Sequence, residues 1–370
     1  MNRQLPGTSA ALANALVLAV LVIWASLHTW FPGLYYGSVS EDAVLEWITF
    51  WSLALASMVF FIAAARQHRD GTFPWFLIGL GLFCFLFAME EISWGQRLLG
   101  YQPPEYFLAE NYQQELTLHN LSGRAFRNAL FRAIIAGYGV LLPLSTFVKP
   151  LGRLLDRIGV VPPPLGLAPA FIAMLVLHLV YPWRFTGEII EAALGLALMI
   201  SALSNYHAFA GHATRPMVAS LALAAVTVVV LAAGSGLWYQ NKEASDPTKE
   251  RDAQAETAAL KKDLIAMARR NDALPTMCGM HQRLYRYLER YEYAQSLTEG
   301  SFVELAGERG EYFIDPWNLP YWIRDTCAET SASRSIFVYS FGPNRRRDST
   351  EWKILGDDIG SYLTKEPRLR

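Results

Sequence analysis

Charge is scarce in this chain. Only 18% of its 370 residues are Asp, Glu, Lys or Arg, and the formal net charge is −1. Beyond the short run Arg345, Arg346, Arg347 there is no clustered basic surface, so a general nucleic-acid binder is excluded. The first apolar run also lacks a closing cleavage signal. Its A-x-A triplets, such as Ala11-Leu12-Ala13, fall at its start and none lies between Trp24 and Pro32, so it reads as a retained span and not a signal peptide. The charge that is present gathers toward the end of the chain, which implies two solvents.

What is abundant is apolar length: 52% of the residues are hydrophobic. Up to about residue 240 the chain runs in apolar stretches close to the roughly 20 residues that cross a bilayer. Short segments carrying Pro, Gly or Arg separate them. The expected spans are 10–31, 45–65, 74–94, 128–147, 164–183, 187–206 and 217–239. This gives a membrane all-α fold class with seven transmembrane helices: residues 1–216 hold six spans, 217–240 the seventh, and 241–370 a small α+β domain. Arg3, the Arg66–Arg69 segment, the Lys149–Arg157 loop and Arg215 fall on one side, which the positive-inside rule makes cytoplasmic. The expected setting is a bacterial-type inner membrane, with the N-terminus cytoplasmic and the tail periplasmic. Arg97, Arg124 and Arg127 oppose the rule by facing outward.

Cys278 and Cys327 are the only cysteines of the tail, and in an oxidising compartment they are expected to pair. Trp30, Trp47, Trp94, Trp183 and Tyr206, near span ends, read as interface anchors.

On this topology the ionisable residues gather at the periplasmic ends of the spans. Glu46 opens the second, Glu90, Glu91 and Ser93 close the third, His178 sits inside the end of the fifth, and Glu188 and Glu191 open the sixth. His119 and Asn120 lie in the intervening loop. Carboxylates beside hydrocarbon usually face a bundle interior or a wet cavity. Two readings stay open. In one, His119, His178, Glu188 and Glu191 ligate Zn or another divalent metal, with Glu90, Glu91 and Ser93 catalytic, in hydrolysis of a lipid. In the other the acids carry protons in coupled transport. The bland alternative is solvated residues at helix ends, where the dipole favours Glu188 and Glu191.

The stretch Met89-Glu90-Glu91-Ile92-Ser93-Trp94-Gly95-Gln96-Arg97, with Leu118-His119-Asn120, resembles a signature of poorly characterised multi-pass bacterial membrane proteins. The seven spans with acids and histidines also look distantly like the alkaline ceramidase and adiponectin receptor superfamily, without its H-x-x-x-H pair.

In the tail, Ala253, Leu260, Leu264 and Met267 share one helical face over residues 250–270, and Ser335–Ser340 reads as a strand. Asp315-Pro316-Trp317, Pro320-Tyr321, Tyr339-Ser340-Phe341-Gly342 and Gly356-Asp357-Asp358-Ile359 then resemble the C-terminal half of the major pseudopilin of type II secretion. The resemblance covers about residues 217–360. It implies a long helix on a short antiparallel sheet, and a calcium site to which Asp348, Asp357 and Asp358 would contribute. Asn318-Leu319 replaces the family's Gly-Asn, and no G-F-x-x-x-E processing site precedes Met217. The leading expectation is an accessory or assembly role, with membrane lipids and a periplasmic or secretion-system protein as partners.

Overall fold

The computed structural model describes residues 7–40, 42–69, 73–111, 113–210, 214–244, 246–270, 279–290, 302–326, 335–349 and 353–364. It divides into two compact units, Met1–Ile92 with Ser122–Leu237, and Ser93–Leu121 with Trp238–Arg370.

The first unit is helical. Gly7–Trp30, Val44–Arg69, Ala125–Ser145, Thr186–Phe209 and Met217–Lys242 are long and apolar enough to cross a membrane. A sixth span results if Trp75–Glu91 and Ser93–Leu99, bent by 64°, count as one. The expected span 164–183 is a shorter apolar helix, Leu165–Val180. Thr186–Ala210 is central, with Ile189, Ile190, Ala193, Ala197 and Ile200 fully buried. It packs on Val44–Arg69, and Gly195 lets the backbones approach: a Cβ there would meet the Ser52 side chain at 3.2 Å. Outer helices do the reverse, leaving Leu223 69% and Val230 62% exposed. Trp30 is exposed as an interface anchor would be, whereas Trp47 is buried.

One expected span has an irregular interior. Ala133–Leu141 is π-helical, and Pro143 follows. There Gly139 sits against the ring of Phe171, where a Cβ would have no room.

The second unit is a helix on a sheet. Its strands β1 (His281–Arg283), β2 (Trp322–Asp325), β3 (Ile336–Ser340) and β4 (Ile359–Tyr362) form an antiparallel sheet in the order 1-2-3-4. The anticipated strand at 335–340 is β3. The anticipated helix is Pro247–Arg270, and Ala253, Leu260, Leu264 and Met267 are all fully buried, as their spacing requires. Period two then sorts the strands: Ile323 and Val338 face the helix core, while Trp322, Arg324 and Tyr339 take the other face.

The unit boundary differs from the one expected at residue 241. Segment 93–121 belongs with the tail because Leu108 and Ala109 are buried among Leu260, Leu264 and Tyr285. The Lys242 ammonium donates to the Leu98 carbonyl at 2.6 Å. Cys278 and Cys327 lie outside the described residues.

Candidate functional site

The acidic residues of the first unit do converge. Glu46 lies in the first turn of Val44–Arg69, Glu90 and Glu91 end Trp75–Glu91, and Glu188 and Glu191 start Thr186–Ala210. The Glu91 carboxyl is within electrostatic reach of those of Glu191, Glu188, Glu46 and Glu90, and Arg127 reaches Glu191. Glu90 is buried and the other four are half-buried. The Asp42 amide donates to Glu46 Oε2 at 2.5 Å. Carboxylates crowded among apolar helices need a compensating cation or proton, which is what makes the cluster a candidate site.

His178 does not join it. His178 is buried elsewhere in the first unit, stacked on Phe131 with ring centroids 6.0 Å apart and facing Arg132. His119 is an exposed residue of the second unit. Among the described residues no group of three or more His, Cys, Asp or Glu is placed to hold a metal ion. The expected set of His119, His178, Glu188 and Glu191 is therefore not assembled.

Ser93 falls in the second unit, whereas Glu90 and Glu91 belong to the first. Ser93, Trp94 and Gly95 all take left-handed backbone, φ 48°, 55° and 82°, which breaks the helix. Behind the break lies a polar knot within the second unit. Ser93 Oγ donates to Glu115 Oε2 at 2.5 Å, and the Arg97 guanidinium pairs with Glu115 Oε1. Gln96 Oε1 accepts the Leu116 amide at 2.8 Å. Asn111 Nδ2 donates to the Glu115 and Thr117 carbonyls at 2.7 and 2.8 Å, and Asn120 Nδ2 donates to Thr117 Oγ1 at 3.0 Å. Arg97, placed outward against the charge rule, is thus buried with its counter-ion. Sequence reasoning missed Glu115, Asn111 and Gln96. Their polar character within the predicted loop was the available signal, but the pairing spans 18 residues and leaves no periodic trace.

The tail motifs form turns. Asp315 Oδ1 accepts the Trp317 and Leu319 amides at 3.0 and 2.8 Å, and Oδ2 accepts the Ser340 hydroxyl. Asn318 is left-handed, φ 60°, a conformation that Asn tolerates better than most residues other than Gly.

The calcium expectation fares differently. Asp348 Oδ2 accepts the Asp357 amide at 3.0 Å and the Asn344 side-chain amide at 2.8 Å, while Asp358 Oδ2 accepts the Ser349 and Asp348 amides at 2.6 and 3.1 Å. The carboxylates expected to bind an ion tie the loop to itself, and no metal-holding group is formed among the described residues.

A cleft of about 800 Å³ in the same unit is lined by Asp246, Asp252, Glu256, Glu311 and Asp315. Burial pushes Glu256 up to about 7, against the Tyr321 hydroxyl that donates to it at 2.6 Å. Burial likewise raises Asp315 to about 6. On the far face of the sheet His281 stacks on Trp322 (4.5 Å) and Trp322 on Phe341 (5.3 Å), with Arg283 5.8 Å from the Trp322 ring. Burial, with Arg347 and Arg324 nearby, lowers His281 to about 3.

No protein-family model matches the chain, and no curated protein or solved structure matches it either.

Proposed function

We propose that this multi-pass membrane protein presents a pseudopilin-like helix-and-sheet unit to partners at the periplasmic face of a bacterial inner membrane, as an accessory or assembly component of an envelope or secretion system. The observation that carries the reading is the second unit itself. After the last apolar helix the chain builds a long helix over a four-stranded antiparallel sheet, with its Asp315-Pro316-Trp317 and Gly356-Asp357-Asp358 motifs at turns. The half-exposed Arg283, Trp322 and Arg324 on the sheet's far face offer aromatic and cationic contacts of the kind enriched at protein interfaces.

The test places photo-crosslinking residues at exposed Asn344 and Asp357 of the full-length protein in cells. Discrete adducts with the same envelope proteins from both positions are expected. Absence of adducts from either position in a folded, membrane-inserted protein sinks the reading.

A second reading, proton-coupled transport, rests on the five-glutamate cluster alone. It predicts substrate-driven proton movement in proteoliposomes that Glu91→Gln and Glu191→Gln abolish. For the metal-hydrolase reading, no group of three or more His, Cys, Asp or Glu is placed to hold a metal ion among the described residues.

A further inference from the structure

We propose that the helix Lys149–Ile158 lies in the plane of the membrane surface and binds acidic phospholipid headgroups. Sequence reasoning saw this segment only as a cationic loop. The structure makes it a ten-residue helix, started by Pro150 in its first turn and ended by Gly159 in left-handed conformation, φ 76°.

The helix is two-sided. Leu151, Leu154, Leu155 and Ile158 follow at i, i+3, i+4 and i+7 and form one stripe. Lys149, Arg153 and Arg157, spaced by four, form the opposite one, and Asp156 is the only acid. None of its residues is buried in the unit: Leu154 is 50% and Ile158 45% exposed, with all three cations exposed as well. The preceding Phe147 and Val148 extend the apolar surface at 64% and 55% exposure.

Position decides what covers that surface. The candidate span Ala125–Ser145 ends four residues before the helix, and the apolar helix Leu165–Val180 begins seven residues after it. The Trp75 indole, at the start of Trp75–Glu91, donates to the Ile158 carbonyl at 2.5 Å and fixes the C-terminal end. A helix tied at both ends to membrane-embedded segments lies at the bilayer interface. Its apolar stripe enters the headgroup boundary and its cations meet the phosphates. Charge complementarity selects acidic over zwitterionic lipid.

Hydrogen exchange on the full-length protein in nanodiscs of phosphatidylcholine, with and without phosphatidylglycerol, tests this. Amides of residues 151–158 are expected to exchange on the order of tenfold more slowly with phosphatidylglycerol present. The Lys149→Gln/Arg153→Gln/Arg157→Gln variant, which keeps the apolar stripe, is expected to lose that lipid dependence while exchange in Thr186–Ala210 stays unchanged. Equal exchange in the two lipids for the wild-type chain overturns the proposal. Protection that follows protein loading per disc instead of lipid charge does so too, by assigning the stripe to a second copy.

Discussion

The two units of this protein differ in what they leave exposed. In the first, large apolar side chains such as Leu223 and Val230 face outward as well as inward, where Phe60, Phe171 and Ile190 pack with small residues such as Ser52, Ala193 and Gly195. In the second, Leu260, Leu264 and Met267 are sealed against tyrosines and phenylalanines, and polar residues face out. One keeps an apolar surface compatible with lipid, the other hides its apolar residues from water. The difference shows that hydrophobicity alone does not locate a core; the solvent does.

The sharpest break in that contrast is Arg97→Ala. Removing one partner of the buried Arg97–Glu115 pair leaves a charge without compensation and is expected to cost about 3–5 kcal/mol. It should appear as lost hydrogen-exchange protection across segment 93–121. The double variant Arg97→Met/Glu115→Leu should recover most of it, and failure to recover would mean the charges do more than neutralise each other.

Leucine truncation comes next. Leu264→Ala should destabilise the second unit by about 2–5 kcal/mol, because the site is fully buried. Leu223→Ala, on an exposed apolar surface, should leave thermal unfolding in nanodiscs within about 0.5 kcal/mol of wild type. Similar losses at both positions would contradict the comparison.

Gly342→Ala is the third in size. The residue is left-handed, φ 66°, and a Cβ would collide with the Asp357 carbonyl oxygen, so about 1–3 kcal/mol of strain is expected in urea unfolding.

A pH dependence of the second unit comes last. Glu256 binds its proton more tightly when folded, about 7 against 4.5, so its contribution to stability is fully present below about pH 4.5 and is lost as pH rises through 7. Asp315 acts the same way between 3.8 and about 6. His281 works in the opposite sense: its folded value is depressed to about 3, so stability falls as pH drops below 6.5. Glu256→Gln should therefore flatten the loss between pH 5 and 7.5, and His281→Gln should flatten the loss toward acid. An unchanged profile in either variant would remove that residue from the account.

Much of this was legible in the sequence where chemistry repeats. Continuous apolar runs marked the five helices long and apolar enough to cross a membrane, though seven spans were expected, and the spacing of Leu260, Leu264 and Met267 marked both the helix and its buried face. The convergence of Glu46, Glu90, Glu91, Glu188 and Glu191 followed from their common place at span ends. Non-periodic features were not legible. Three successive left-handed residues at Ser93–Gly95 turn the chain at the end of the expected span 74–94, and Ser93 bonds to Glu115. The amphipathic stripe of Lys149–Ile158 was present in the residue order but was hidden by counting charges alone.

The reading proposed above puts the C-terminal end of the chain on the opposite side of the membrane from the N-terminus. It is tested most directly by fusing alkaline phosphatase or green fluorescent protein after Arg370 in bacterial cells. The account predicts an active phosphatase and a dark fluorescent protein, with Arg3 on the cytoplasmic side. A bright fluorescent fusion and an inactive phosphatase would place the unit in the cytoplasm and contradict it.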